Sequence, residues 1–504
     1  MAPEKIYYHG LGKLKVVEKL IDKGLTDPEL LSEVTEIEHI VRSVGPSNYR
    51  SVSEPDRLMI NPTVQPYEAT WKGLSSLFRS KEVDSTPLTK KEHELLLIWW
   101  DFNTASPRVE PASDRDLLVL KMIEERMDPV ELASRGNIPI GAVQGAIDHA
   151  AAKGLILRPK TKIRRDPGKF CAPTGIDEEV LAADVFTLQW HVTQQCDLHC
   201  KHCYDRSNRS PLTLEQGYAV LKQLWDFCRQ KHVSGQISFS GGNPLLYPHF
   251  IALYKRAVEY GFVVAILGNP TSRDQVQEII EIQPPDFYQV SLEGLPDHND
   301  SIRGKGHFDR TMAFLELLKE MEIYSMVMLT LTRDNMNQIL PLAEILKDKV
   351  DLFTFNRLSM VGEGANLQLP PPSEYRAFLL EYIAQLNSNP VLALKDNLFN
   401  IALDQQGKRL FGGCTGYGCG AAFNFLALLP DGEVHACRKF PSLLGNIHEK
   451  SLIEIYDSEL AKRYRKGPEP CGDCDIKAVC RGCLAIAHSF GLDIFAQKDP
   501  FCYI

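Results

Sequence analysis

Apolar residues recur at helical spacing near the start of the chain: Leu14, Val17, Leu20 and Ile21, then Leu30, Val34, Ile37 and Val41. They predict two or three amphipathic helices, with Asp27 as a cap and Pro28 in a first turn. Prolines recur from Pro46 to about Pro87 and the pattern weakens, which predicts a linker, after which the run from Glu92 to Trp100 predicts a helix. A helix through Leu117, Leu120, Met122 and Ile123 is expected next. A short one opens at Asp128-Pro129 and stops at Gly136-Asn137, and a third runs from Ile140 to Ala152, ends at Gly154 and leads into a wing strand over 155–157. This is a winged helix-turn-helix pattern. From Ala183 to Met360 short apolar runs over 185–192, 236–240, 263–267, 288–294, 326–330 and 352–356 alternate with helical patterns such as 213–230. Six strand–helix units of this kind predict an α/β fold with a parallel, barrel-like sheet.

Length and charge narrow the picture. A chain of 504 residues exceeds one ordinary hydrophobic core, so two to four domains are expected. The net charge of −9 is spread along the chain, which argues against a general nucleic-acid binder. No apolar run approaches a bilayer span and Met-Ala-Pro-Glu-Lys is not a secretion signal, so a cytoplasmic protein with no membrane partner is expected. Thirteen cysteines in a reducing compartment point to metal rather than disulfides. Three lie in one loop, eight fall between Cys414 and Cys502, and Cys171 and Cys228 stand apart. Cys228, in a helical run, is expected to pack; Cys171 has no assigned role.

The loop is Cys196-Asp-Leu-His-Cys200-Lys-His-Cys203-Tyr204, directly after the strand over 185–192. Three thiols there can hold three corners of a cubane iron–sulfur cluster whose usual set is four, which leaves one iron open. A zinc site completed by His199 or His202, or simple packing, is the alternative. The spacing, the aromatic Tyr204 and the preceding strand resemble the radical S-adenosylmethionine (SAM) superfamily. That resemblance implies a partial (β/α)6 TIM-like barrel, SAM chelated to the open iron, and a 5′-deoxyadenosyl radical that abstracts hydrogen. Gly241-Gly242-Asn243-Pro244 resembles the family's Gly-Gly-Glu-Pro turn, with Asn243 in place of the carboxylate, and would meet the amino group of SAM. The strand ending Ser291-Leu-Glu293-Gly resembles the family's ribose-facing strand. Arg303, in the turn beyond, would either reach the SAM carboxylate or stabilise that turn.

The C-terminal cysteines resemble the SPASM extension of these enzymes, which holds two auxiliary [4Fe–4S] clusters. The resemblance assigns Cys414, Cys419, Cys437 and Cys483 to the first and Cys471, Cys474, Cys480 and Cys502 to the second, three [4Fe–4S] clusters in all. A pair of zinc sites is the alternative. The domains expected are a helical region and linker over 1–90, a winged helix over 91–170, the barrel over 183–360, connecting helices over 361–410 and the SPASM domain over 411–504.

SPASM enzymes mostly modify ribosomally made peptides, so a precursor peptide is the implied substrate, held as an added strand by the winged helix, with a ferredoxin or flavodoxin as electron donor. A purely structural N-terminal domain is the next reading; DNA, which the basic run Arg158 to Arg165 would suit, is the least favoured. Modification at or near cysteine, of thioether or heterocycle type, is among the reactions implied, with a loose likeness to thio(seleno)oxazole-type maturases. Anaerobic sulfatase maturases carry an aspartate after the cysteine equivalent to Cys437; here Arg438 stands there, which weakens that reading. An iron–sulfur redox-sensing winged-helix regulator is the rival from outside the enzymes. No residue type in the chain names the catalytic group.

Overall fold

The computed structural model describes residues 16–45, 55–79, 89–170 and 178–504, so Leu14, Pro46, Pro87 and Cys171 lie outside the described residues. Two compact units meet the description, Met1–Lys160 and Thr161–Ile504.

In the first unit, helices Val16–Asp22 and Pro28–Ser43 form as expected, and the Asp27 carboxylate accepts from the backbone of Glu29 and Leu30. Strand β1 (Met59–Ile60) and strand β2 (Gln65–Lys72) follow, then β3 (Thr89–Asp101) and β4 (Ser106–Pro111). Part of the expected linker is therefore strand, β1 and β2, and the helix expected over Glu92 to Trp100 is instead the centre of the antiparallel sheet β2-β3-β4. The reason lies in burial. Leu96 and Ile98 pack towards the two N-terminal helices with Val34 and Ile37, whereas Leu97 and Trp99 pack towards Val119, Met122 and Val143 on the other side. A strand buried on both faces reads as an unbroken apolar run, which periodicity cannot separate from a helix.

Helices Asp114–Glu124, Pro129–Gly136 and Ile140–Ala152 follow. Ser113 and Asp116 make a capping box, Asp128 caps the second helix, and Asn137 at φ 47° ends it. Strand β5 (Ile156–Leu157) pairs with β1 rather than with a following wing strand.

The second unit is built on β6 (Val185–Thr193), β7 (Ser234–Gly241), β8 (Val263–Leu267), β9 (Phe287–Ser291), β10 (Ser325–Leu331) and β11 (Leu352–Arg357). They run parallel in sequence order. Beyond β6 the sheet continues through β12 (Phe425–Leu428), parallel to β6, and the antiparallel β13 (Glu433–His435) and β14 (Leu443–Asn446). β6 and β11 are not neighbours, so the six-stranded part stays open, as a partial barrel does.

The two faces of these strands differ. Phe186, Leu188 and Trp190 of β6, Ile237 and Phe239 of β7, and Val327 and Leu329 of β10 are buried. Phe186 packs on Phe227 of helix Leu214–Lys231 at 4.4 Å between rings. The alternate residues Thr187, Gln189, His191, Gln236, Ser238, Gln289 and Ser291 line a cavity. Fully buried parallel strands usually carry apolar residues on both faces; here polar residues of β6, β7 and β9 share the inner wall with Leu267, Phe287, Met326 and Met328. Among the described residues no helix is long and apolar enough to cross a membrane.

Candidate active site

A cavity of about 1010 Å³ opens at the carboxyl ends of these strands, where ligands of open α/β sheets bind. Of the residues singled out in the sequence it is lined by Cys196, Cys200, Cys203, Tyr204, Gly241, Gly242, Ser291 and Arg303, and by Cys414, Cys419, Cys437 and Cys483.

The loop of three cysteines is held against the turn after β7. Gly242 N donates to Thr193 O at 2.9 Å and Asn243 N to Gln195 O at 2.7 Å. A Cβ on Gly241 would stand 2.2 Å from Thr193 O, and one on Gly242 2.2 Å from Gln195 O. The two glycines are therefore needed first for backbone contact with the cysteine loop. Asn243 stands behind the cavity lining, its oxygen accepting from Leu245 N at 3.2 Å and its amide donating to Asp197 at 2.9 Å. Pro244 follows it in a short 3-10 turn. Asn269, which the sequence reading passed over, donates to Asp197 at 2.7 Å and points its amide at Cys196 Sγ, 3.6 Å away. Its place just beyond the carboxyl end of β8 was the available signal.

Arg303, which lines the cavity, is locked to Glu293 behind it. Arg303 Nε and Nη2 donate to Glu293 Oε1 at 2.9 and 2.6 Å, and Thr330 N donates to Oε2 at 2.8 Å. His202 Nε2 stands 3.1 Å from the same carboxylate. Burial alone would raise the Glu293 carboxyl, but His202, Arg303 and the Thr330 N–H outweigh it and hold it well below the usual carboxylate range. Arg303 also places Nη1 3.7 Å from Cys200 Sγ. Burial raises the Cys200 thiol, and Arg303 works against that rise.

Arg438 ties this loop to the C-terminal region. Its Nη2 donates to Asp205 at 2.8 Å, its Nε to His191 Nδ1 at 3.3 Å, and its guanidinium lies 4.5 Å from the Tyr204 ring centre. Burial, aided by the Arg438 charge, pushes the His191 imidazole well below its ordinary value, so it is neutral.

The eight C-terminal thiols fall into two groups. Burial pushes Cys437 up to about 12, and Cys483 and Cys419 add to the rise; Cys414 is likewise raised by burial and by Cys483. Burial pushes Cys471 up to about 11, with Cys502 and Cys474 contributing, and raises Cys480, which Cys474 also reaches. The second group lies outside the cavity lining. Cys228 is packed, 5% exposed.

These donor sets suit iron–sulfur clusters. All are thiols, and polar hydrogens approach sulfur in the loop, as such clusters need. Among the described residues no three His, Cys, Asp or Glu side chains gather at the spacing of a single bound ion. In a polynuclear cluster each thiolate takes a different iron.

Comparison with known proteins agrees with this geometry. The radical SAM superfamily pattern matches residues 190–346, and an iron–sulfur cluster-binding domain, SPASM, matches residues 419–483. The pre-heme d1 synthase of Dinoroseobacter shibae is 32% identical over 359 residues, 62% of this chain and 85% of that protein. The mycofactocin maturase MftC of Mycolicibacterium smegmatis is 27% identical over 335 residues, 62% of this chain and 82% of that protein. In fold, the crystal structure of Streptococcus suis SuiB bound to its precursor peptide SuiA matches with a TM-score of 0.52 at 17% identity, over 82% of this chain and 97% of that one.

Proposed function

The chain belongs to the radical SAM superfamily, and from that premise we propose that it is a SPASM-type maturase of a ribosomally made peptide, with three [4Fe–4S] clusters. The observation that carries this is the cavity, in which the three-cysteine loop, the inner wall of the barrel and four C-terminal thiols face one space. Cys196, Cys200 and Cys203 would hold the SAM cluster; Cys414, Cys419, Cys437 and Cys483 would hold one auxiliary cluster, and Cys471, Cys474, Cys480 and Cys502 the other. The barrel is assigned to 183–360 and the auxiliary domain to 411–504, with 361–410 between them.

A cluster held by Cys196, Cys200 and Cys203 would supply the electron for reductive cleavage of SAM to a 5′-deoxyadenosyl radical. The chain's own groups set the stage for it. Arg303, anchored by Glu293, places positive charge beside Cys200. Gly241 and Gly242 let the cysteine loop close on β7. Ser291 offers a hydroxyl in the cavity for the ribose, and Tyr204 lies against Arg438 at its wall.

Thr187, Gln189, Gln236, Ser238 and Gln289 suit the amides of a peptide. A tetrapyrrole is the second reading, favoured by the 32% identity to pre-heme d1 synthase and by Leu267, Phe287, Met326 and Met328, which give the cavity apolar walls as well. Arg438 donates to Asp205 and His191 and offers no basic atom, which speaks against proton removal of the sulfatase-maturase kind. In the first unit, β2 and β4 are the edges of the three-stranded sheet, and a leader peptide can add there as a strand. The electron would come from a ferredoxin or flavodoxin.

Removing residues 1–160 tests this. The remaining chain is expected to cleave SAM on reduction yet fail to modify a co-expressed precursor peptide encoded beside the gene. Unimpaired modification without the first unit would refute the leader-binding role, and conversion of a tetrapyrrole by the intact protein would favour the second reading.

A further inference from the structure

Among the described residues of the second unit, one group of guanidiniums has no carboxylate at ion-pair distance. Arg481 is 3% exposed and Arg165 5% exposed, and Arg465 is half-buried. Arg481 Nη1 donates to Arg465 O and Nη2 to Cys419 O, both at 2.5 Å. Arg165 donates to Ala478 O at 2.6 Å and to Tyr417 O, and Arg465 donates to Ala422 O at 2.9 Å and Tyr456 O at 2.8 Å. Every acceptor is a backbone carbonyl. Among the described residues none of the three guanidiniums has a carboxylate at ion-pair distance, in contrast to Arg357 of the same unit, which holds two. The Nε atoms of Arg165 and Arg481 are buried with no partner. A buried charge without a counter-charge is strongly disfavoured.

Burial lowers the Arg481 guanidinium below its ordinary value, and the thiols of Cys419, Cys480 and Cys471 work against that fall. Cys419, whose carbonyl accepts from Arg481 Nη2, belongs to one set of four, and Cys480, the residue before Arg481, to the other, so this guanidinium stands next to both. The backbone is bent to put it there: Arg481 has φ 61°, which a residue with a Cβ rarely adopts, and Gly482 follows it at the same angle. Both sit between Cys480 and Cys483, one cysteine of each set.

We propose that Arg481 is a positioning residue that carries a counter-charge shared by the two auxiliary clusters, raising the reduction potential of both and coupling one to the other. A [4Fe–4S] cluster on four thiolates carries net negative charge, more when reduced, and the charge around it is one of the terms that set its potential. A cation between the two favours the reduced state of each, and reduction of either draws on the same guanidinium.

The proposal rests on the assignment of two four-thiolate clusters to this region, and its test separates the two. Full-length protein with Cys196, Cys200 and Cys203 all changed to Ala, reconstituted anaerobically, should hold about eight irons in two clusters; far fewer would overturn the assignment itself. With those clusters present, an EPR-monitored redox titration of Arg481→Gln should show both midpoint potentials moved to more negative values, with Arg481→Lys restoring most of the shift. Unchanged potentials in Arg481→Gln, or movement of one only, would overturn the shared counter-charge. If Arg481→Gln loses iron, retention of both clusters by Arg481→Lys still supports the charge. Equal loss in both variants would mean that only the guanidinium's bonds to carbonyls matter, and would overturn it.

Discussion

Replacing Glu293 by Gln removes one negative charge and changes little else in shape, so its effect can be worked from the contacts around it. Glu293 is 1% exposed and receives two hydrogen bonds from Arg303 and one from Thr330 N, with His202 beside it. The variant leaves the buried Arg303 guanidinium with no carboxylate, and breaking a buried ion pair from one side costs about 3–5 kcal/mol. The Gln oxygen keeps one or two acceptor bonds, each worth about 1 kcal/mol, so a loss of about 2–4 kcal/mol is expected. The pH dependence has a fixed sign. A carboxyl held below its ordinary value contributes stability that is fully present above its unfolded value, about 4.3, and is lost as the pH falls through the folded one. Urea unfolding of both proteins in the same metal state should therefore give a difference that is flat from about pH 8 to about pH 5 and narrows only below about pH 4. A difference under about 1 kcal/mol at pH 7, or one that shrinks between pH 8 and 6, would refute the reasoning.

Three further outcomes follow from single residues. Arg357 is held by Asp396 at 2.7 Å and by Asp499 at 2.6 Å, and Asp499 also accepts from Cys483 N, so Arg357→Met should cost about 3–5 kcal/mol in urea unfolding and lower the iron content. Gly242→Ala should fail to form 5′-deoxyadenosine while keeping the auxiliary clusters by EPR, because its Cβ would meet Gln195 O at 2.2 Å and push the cysteine loop away. Cys474→Ala, outside the cavity, should still cleave SAM but yield no modified peptide by mass spectrometry.

The barrel was legible because each of its strands is a short apolar run followed by a helical pattern; all six lie where the spacing put them. The first unit was less so. Leu95 to Trp100 is apolar without a break because β3 is covered on both faces, and no single-chain pattern reports how many faces a strand buries. At the site, the cysteines announce themselves by spacing, but the Glu293–Arg303–His202 cluster joins residues about a hundred positions apart and exists only once β9 and the cysteine loop are side by side. His191 was missed for the same reason, and Arg438 showed itself only as a departure, not as the cation that joins Tyr204, Asp205 and β6.

The central claim is tested most directly by the iron and sulfide content of anaerobically reconstituted protein, paired with detection of 5′-deoxyadenosine after reduction with SAM. About twelve irons and 5′-deoxyadenosine are the expected result. Few irons, tightly held zinc and no SAM cleavage would contradict the account.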